Sequence, residues 1–135
     1  MARRKPKIKH TIICDDIRQE IGNKLSFIGI YGPTLLVTKI PYVFPKLCFV
    51  IFCEDVKGGD VFSIDLKNPS GEQLGNTITG NVPKQFDGNL NFLIFAIFSP
   101  LNAKQKGEHK LEITYNDNDK WRYEINFVVE TPVAV

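Results

Sequence analysis

Hydrophobic and polar residues alternate through the last third of the chain. Apolar or aromatic side chains occupy every second position from 121 to 129: Trp121, Tyr123, Ile125, Phe127 and Val129. Successive side chains of a β-strand point to opposite faces, so this pattern predicts a strand with one buried and one solvated face. The same alternation occurs in residues 110–116, and the turn-rich residues 116–120 separate the two segments. We therefore predict an antiparallel hairpin here.

Similar patterns predict short strands along most of the chain. The further predicted strands cover residues 8–14, 24–31, 34–40, 47–54, 62–66, 77–79 and 90–98. Residues 90–98 are the most hydrophobic, so we expect that strand to be central. Residues 15–22 are predicted as a polar connection with room for one helical turn. Many short strands with almost no helix predict an antiparallel two-sheet β-sandwich, immunoglobulin-like or C2-like in topology.

The alternation also predicts which side chains form the core between the two sheets. Eleven apolar residues fall at core-facing positions: Leu25, Phe49, Phe62, Ile64, Phe92, Ile94, Leu111, Ile113, Trp121, Ile125 and Phe127.

The net charge of +2 is unevenly distributed. Five cations lie in the first nine residues without an acid among them: Arg3, Arg4, Lys5, Lys7 and Lys9. The rest of the chain holds fewer basic than acidic residues, so the basic character does not belong to a folded face, where a nucleic-acid-binding domain carries it. We predict a mobile basic tail over residues 1–7 and a single β-sandwich domain over residues 8–135.

The apolar runs and the cysteines point to the compartment. No secretory signal is visible, and the longest apolar runs are far shorter than the ~20 residues of a spanning helix. The three cysteines, Cys14, Cys48 and Cys53, form an odd set in a chain large enough to fold without disulfides. They suit a reducing cytoplasm, and no membrane span is expected.

One N-terminal motif stands out. Residues 12–16 read Ile-Ile-Cys-Asp-Asp, and residues 22–31 read Gly-Asn-Lys-Leu-Ser-Phe-Ile-Gly-Ile-Tyr. The motif resembles the start of a family of small bacterial proteins, in which a Cys-Asp-Asp-like strand end precedes a Gly-Lys-Leu-Ser-Leu-Ile-Gly-like strand. The resemblance implies a single all-β domain in a bacterial or phage-like cytoplasm, no established function and no catalytic residue. Asn23 replaces an expected glycine, and asparagine tolerates a left-handed backbone.

The motif has a structural interpretation in its own right. Gly29 within a strand marks a bulge or a close backbone approach. Asp15 and Asp16 are suited to capping a turn or to pairing with Arg18 and Lys24.

Catalytic chemistry finds little support in the sequence. The chain has two histidines, His10 and His109, and no spacing joins either to a cysteine as a nucleophile and base. Cys48 and Cys53 are five apart on one strand, so they face opposite sides and cannot share a zinc ion. No glycine-rich phosphate loop precedes a helix. We expect no cofactor and no enzyme, with a small enzyme with an unrecognised site as an alternative.

The aromatic residues supply the candidate partner surface. Most of them fall at core positions, but Tyr31, Tyr42 and Phe44 lie near the Gly/Pro-rich residues 32–45. We predict a non-enzymatic binding or interaction module with a protein or small-ligand partner. Nucleic-acid binding through the basic N-terminal arm is an alternative against which the solvated tail is favoured. Self-association through edge strands stays open.

A Ca²⁺-dependent C2-like module is a further alternative. If each connection reverses the chain, residues 55–60, 83–89 and 116–120 fall at one end of the sandwich. That end collects five acids: Asp55, Asp60, Asp87, Asp117 and Asp119. Carboxylates in flexible loops suit Ca²⁺, whereas the commoner interpretation is ordinary turn chemistry, and we assign no metal ligands.

The calcium hypothesis makes a prediction for thermal unfolding. A cation bound to the native state must raise the melting temperature by mass action. Melts in millimolar CaCl₂ and in EDTA should then differ, with the higher midpoint in calcium. Identical midpoints leave the acidic end as a solvated surface.

Overall fold

The computed structural model describes residues 3–132. Within them the secondary structure is eleven strands and one short 3₁₀ turn, with no α-helix. No helix in these residues is long and apolar enough to cross a lipid bilayer. The strands are β1 Lys7–Glu20, β2 Lys24–Tyr31, β3 Thr34–Leu36, β4 Tyr42–Phe44, β5 Leu47–Glu54, β6 Val61–Lys67, β7 Gln73–Asn81, β8 Phe92–Phe98, β9 Leu101–Ala103, β10 Gly107–Tyr115 and β11 Arg122–Glu130; the 3₁₀ turn is Asp119–Trp121.

Two main sheets pack face to face around the core. The order is β2-β1-β5-β8 in the first sheet and β3-β11-β10-β6-β7 in the second, while β4 and β9 form a separate pair. Phe49 of β5 packs on Phe127 of β11 with ring centroids 5.5 Å apart, and the Tyr115 hydroxyl donates to Cys53 Sγ at 3.0 Å. All pairings are antiparallel except β3 with β11, which confirms the predicted all-β class with antiparallel sheets.

Strand β5 is apolar on both faces. Leu47, Phe49, Ile51 and Cys53 enter the core between the sheets. The alternate residues Cys48, Val50 and Phe52 lie on the outer face of the four-stranded sheet, where Cys48 and Val50 are nevertheless completely buried. The predicted opposite orientation of Cys48 and Cys53 is therefore confirmed. Another part of the chain must therefore shield this apolar outer face from water.

The hairpin of β1 and β2 shields the outer face of β5. Strand β1 pairs with β5 only as far as Cys14 opposite Cys48, but it continues to pair with β2 up to Glu20. Ile17 and Phe27, opposite each other in this extension, pack against the buried outer-face residues. We call residues 15–29 the arm. Its tip lines a cavity of about 370 Å³ together with Leu93 and Phe95 of β8, so the arm folds back across the outer face.

The arm corrects the prediction for residues 15–22. They are not a polar connection with a helical turn, because β1 runs to Glu20 and the turn is confined to residues 21–23. Ile17 and Ile21 are four residues apart, a spacing that would suit a helical turn, but Ile21 is 95% exposed and packs against nothing among the described residues. The cross-strand pair of Ile17 with Phe27 decided the conformation instead. Asn23 has the predicted left-handed backbone, with φ of 57°.

Gly29 allows the arm to bend. Its φ is +69°, and a Cβ atom at this position would collide with the carboxylate of Asp15. Both conditions exclude a larger residue. The prediction that this glycine marks a close approach within the strand is confirmed.

Two further expectations about burial were wrong. Strand β8 lies at the edge of its sheet, not in the centre, and part of its hydrophobicity comes from Phe95 and Ile97, which are exposed. Five of the eleven predicted core residues are half-buried instead of buried: Leu25, Phe62, Phe92, Trp121 and Ile125. All of these except Leu25 still pack against the core from its margin, whereas Leu25 belongs to the arm.

The described part of the predicted mobile tail lies against the sandwich. Pro6 is buried and accepts a hydrogen bond from the Tyr123 hydroxyl through its carbonyl oxygen. The guanidinium of Arg3 lies over the Trp121 ring, 5.0 Å from its centroid. The composition of this segment predicts solvated cations, because composition does not show that Arg3 has an aromatic partner in the folded protein. Residues 1 and 2 of this segment, and 133–135 of the predicted domain, lie outside the described residues.

The bend glycine gives a stability prediction. Gly29→Ala should cost about 1–3 kcal/mol of unfolding free energy, because alanine is strained at positive φ and its methyl group meets Asp15. Gly32→Ala is the matched control, since no heavy atom lies within 4 Å of its Cβ position. Urea unfolding of both variants measures the difference. Equal loss in the two variants would contradict a strained bend.

Candidate functional site

The predicted aromatic residues come together at one edge of the molecule. Tyr31 is the last residue of β2, and Tyr42 and Phe44 are the ends of the short strand β4. Alternation places Tyr42 and Phe44 on one face of β4 and Val43, which is 52% exposed, on the other. Phe44 is buried, whereas the two tyrosines are half-buried. Three residues that the sequence could associate only by proximity along the chain thus form a single cluster.

Each of the two tyrosine rings is held nearly perpendicular to the Phe44 ring. The planes of Tyr31 and Phe44 differ by 86°, with ring centroids 6.5 Å apart. The planes of Tyr42 and Phe44 differ by 81°, at 4.8 Å. Edge-to-face pairs of this kind are favourable and fix the orientation of each ring. The rings border an open cavity of about 250 Å³, which we call the aromatic cleft; its lining residues are Asp15, Tyr31, Tyr42, Phe44, Pro45 and Lys46.

The Asp-Asp motif lies beside this cleft. The Tyr31 hydroxyl donates to Asp15 Oδ1 at 2.6 Å. Burial, together with this hydrogen bond, raises the pKa of the Tyr31 hydroxyl, so it remains a protonated donor at neutral pH. The cleft therefore has an anionic oxygen at its margin that a neutral phenol holds in place.

The second acid of the motif is already paired. Lys46 Nζ lies 2.7 Å from Asp16 Oδ1, and Arg18 Nε lies 3.4 Å from Asp16 Oδ2. The Lys46 hydrogen bond is the main cause that lowers the pKa of Asp16. Within residues 3–132, no cationic side chain forms an ion pair with Asp15. The two neighbouring acids are thus electrostatically different.

The cysteines near the motif are poor nucleophiles. Cys14 and Cys48 are cross-strand neighbours, and both are completely buried. Burial, followed by the neighbouring Cys48, raises the pKa of Cys14 to about 11. Burial likewise raises the pKa of Cys48. Both thiols are therefore protonated at neutral pH and act as packing under the arm.

Neither histidine assists these thiols. His10 stacks on Phe52 at 4.1 Å. His109 is buried against Phe127, its Nδ1 lies 3.0 Å from the Gly107 carbonyl oxygen, and burial lowers its pKa. Among the described residues, neither ring hydrogen-bonds a cysteine. The side chains named as a nucleophile and base in the sequence are not brought together.

The acidic loops are brought together at the other candidate location. The Gly59 amide donates to the Val82 carbonyl, which joins residues 55–60 to the loop beginning at 82, and Asn116 Nδ2 donates to Asp60 Oδ1 at 3.0 Å. Asp117 lies near Gly59 on a shared groove. Within residues 3–132, no group of three or more His, Cys, Asp or Glu side chains could hold a metal ion.

A guanidinium group occupies the centre of these loops. Arg3 contacts both carboxylate oxygens of Asp60, at 2.7 and 2.9 Å, and donates to the Asp55 carbonyl at 3.0 Å. Asp60 also accepts a hydrogen bond from the Lys57 amide, at 2.9 Å. Burial would raise the pKa of Asp60, but the hydrogen bonds from Arg3, Lys57 and Asn116 outweigh it, and the pKa falls below its usual 3.8. Of the five predicted acids, Asp60 contributes its carboxylate and Asp55 its backbone carbonyl, whereas Asp87, Asp117 and Asp119 take no part in this network among the described residues.

A comparison with known families fits this picture. The sequence profile of a family of unknown function, DUF6941, matches residues 9–128. The chain belongs to this family. The match confirms the expected membership of a family with no established function. A search of curated proteins finds no match.

The match covers every lining residue of the aromatic cleft in this DUF6941 member. The sequence pattern predicted the three rings as a partner surface but gave Asp15 and Lys46 no place beside them. The position of Asp15 follows from the pairing of β1 with β2. Ile13 lies opposite Tyr31, so a predicted β1 that continued past residue 14 would have placed Asp15 near the tyrosine. Lys46 had no comparable signal, because it lies between two strands.

The acidic end gives a pH-dependent stability prediction. Asp60→Asn should lower the unfolding free energy by about 2 kcal/mol at pH 7, because it weakens charge-assisted hydrogen bonds to Arg3. A carboxyl whose folded pKa is depressed contributes stability above its unfolded pKa and loses it as pH falls through the folded pKa. The difference from the unmodified protein should therefore persist at pH 5 and shrink below pH 3.8.

The control for this experiment is Asp119→Asn. Asp119 is exposed at the same end, so its replacement should change stability by less than about 0.5 kcal/mol. Denaturant unfolding between pH 2.5 and 7 measures all three proteins. A loss for Asp60→Asn that does not vary with pH would contradict the ion pair as its cause.

Proposed function

We propose that this protein is a non-enzymatic binding module and that the aromatic cleft is its binding site. The supporting observation is the convergence of Tyr31, Tyr42 and Phe44 on one open cavity. Aromatic side chains supply large contact areas at low conformational entropy cost, and they are enriched at the centres of interfaces. Fixed rings around an open space are the feature expected of a preformed site.

The size of the cleft limits what it can hold. Its volume of about 250 Å³ is below the roughly 300–1,000 Å³ of typical cofactor and small-molecule pockets. A single side chain of a protein partner or a small head group is the appropriate occupant. This supports a protein or small-ligand partner over a bound cofactor.

The competing groove is larger but less suited to binding. A groove of about 620 Å³ crosses β6, β7 and β10, and Phe62 is its one aromatic residue. The Phe62 ring lies directly against Gly80, so part of the ring is already in contact with the protein. The remaining side chains of the groove are small or polar: Val61, Ser63, Thr79, Asn81, Lys84, Thr114 and Asp117.

The alternatives receive less support. Nucleic-acid binding by the basic N-terminal residues needs free cations. Arg3 is engaged by Asp60, Lys9 lies 3.7 Å from Glu54, and Lys5 lies over the Tyr123 ring at 5.9 Å. A Ca²⁺ site at the acidic loops competes with the Arg3 guanidinium for the Asp60 carboxylate. A cysteine-based enzyme lacks a thiolate.

A cytoplasmic setting and self-association are further parts of the proposal. Three buried free thiols are compatible with a reducing compartment. Strand β8, Phe92–Phe98, is an edge strand without a charged residue, and such an edge is a template for pairing with a second chain.

Fragment binding followed by NMR tests the site. We expect small aromatic and amine fragments to shift the backbone amides of residues 15, 31, 42, 44 and 46 in ¹⁵N-labelled protein. Tyr42→Ala should abolish these shifts, because it removes one half-exposed ring of the cleft. Val43→Ala is the matched control, since its side chain lies on the opposite face of β4. Shifts confined to the groove of β6, β7 and β10, or no shifts at the cleft, would refute the proposed site.

A further inference from the structure

We propose that the aromatic cleft binds an organic cation, an alkylated ammonium group, with Asp15 as its counter-ion. The inference rests on the proposed function, since it names the class of ligand for that same site. It follows from three properties of the cleft: the arrangement of its rings, the charge at its margin and its size.

The rings form a corner suited to a cation. Tyr31 and Tyr42 are each nearly perpendicular to Phe44, and all three border one cavity. Aromatic faces carry a negative quadrupole, and cages of two or three such rings attract quaternary and methylated ammonium groups. Because Phe44 is buried, a cation in contact with its ring would lose water on that side, which strengthens the attraction.

The charge at the margin has the complementary sign. Asp15 lines the cleft, and within residues 3–132 its carboxylate accepts one hydrogen bond from another side chain, the neutral hydroxyl of Tyr31. A carboxylate accepts more than one such bond, so Asp15 retains capacity for a cation. The local cations Lys46 and Arg18 are directed to Asp16 instead. The cleft lining thus holds the Asp15 carboxylate, which has no ion pair within residues 3–132, and the Lys46 ammonium group, which Asp16 engages.

A metal ion does not fit the same place. Ca²⁺ needs six to eight oxygen ligands, and Mg²⁺ needs six. Asp15 is the one carboxylate among the lining residues, and the rings of Phe44 and the edge of Pro45 offer no ligand. The volume of about 250 Å³ instead suits a compact ammonium head with its methyl groups against the rings.

Choline and its neutral carbon isostere, 3,3-dimethyl-1-butanol, test the charge directly. The two have nearly the same shape, so a difference in affinity reports the cation. We expect choline to shift the cleft amides in an NMR titration with millimolar affinity and to bind about tenfold more tightly than the isostere. Equal affinity of the two at the cleft would overturn the cation inference while leaving the binding site in place. Failure of both, together with failure of the fragments, would overturn the site itself.

Two substitutions of opposite sign separate recognition from damage. Asp15→Asn keeps the acceptor for the Tyr31 hydroxyl but removes the charge, so choline affinity should fall roughly fourfold, as for unit charges about 5 Å apart in water. Lys46→Gln removes a like charge from the lining and should raise choline affinity. Neither should alter binding of the isostere. A damaged fold cannot increase choline affinity, so a gain in the Lys46→Gln variant would report recognition. Choline affinities that stay unchanged in both variants would overturn the role of Asp15.

A second binding experiment identifies the source of the cation. A short peptide containing trimethyllysine is compared with the same peptide containing unmodified lysine, and with choline. Peptide binding more than tenfold tighter than choline, with preference for the methylated form, assigns the site to a modified side chain of a protein partner. Equal affinities for choline and the methylated peptide assign it to a free head group. Preference for unmodified lysine would overturn the aromatic contribution, because methylation favours contact with the rings.

Discussion

The two-sided burial of β5 is the constraint on which the rest of this structure depends. Its odd-numbered residues fill the core, while Cys48 and Val50 on the other face are equally inaccessible to water. Burying an aliphatic side chain of this size is worth about 1.5–3 kcal/mol, so an exposed outer face would forfeit much of that stabilisation. A second sheet cannot cover both faces of one strand in a two-layer sandwich. The chain meets the requirement with its own arm, through Ile17 and Phe27.

The bend that turns the arm back also builds the candidate site. Gly29 and Asp15 are adjacent at the bend, and the close approach of Asp15 is possible only because Gly29 lacks a Cβ atom. Tyr31 follows two residues later and holds Asp15 through its hydroxyl. The position of the carboxylate is thus fixed by the same backbone geometry that places the arm on Val50. A site with this origin is rigid before any ligand arrives, and preorganisation reduces the entropy cost of binding.

The sequence predicted the parts of the fold in which one face of a strand is buried and the other is wet. The closing hairpin of β10 and β11 is the clearest case, since its alternation is nearly unbroken. The predicted position of β8 within its sheet was wrong. A continuous apolar run does not distinguish a central strand from an edge strand whose outer face is apolar as well. The prediction failed also for residues 15–22, whose polar side chains face water while Ile17 alone reaches the sheet.

The same distinction between local pattern and tertiary partner applies to the charges. The basic start of the chain and the acidic loops were each visible in the sequence, but their pairing joins Arg3 to Asp60 across 57 positions. That pairing neutralises the charge of Asp60 internally, and Asn116 and the Lys57 amide donate further hydrogen bonds to the same carboxylate. The two acids beside the aromatic cleft differ from each other: Lys46 and Arg18 pair with Asp16, whereas Asp15, in the part of the chain that the structure describes, is bonded to the Tyr31 hydroxyl and forms no ion pair. A folded protein exerts a specific attraction where a charge is fixed but uncompensated, not where charges are most numerous. By that criterion, Asp15, whose carboxylate is held by a neutral phenol, is a better candidate for recognition than Asp60, whose charge is neutralised by Arg3.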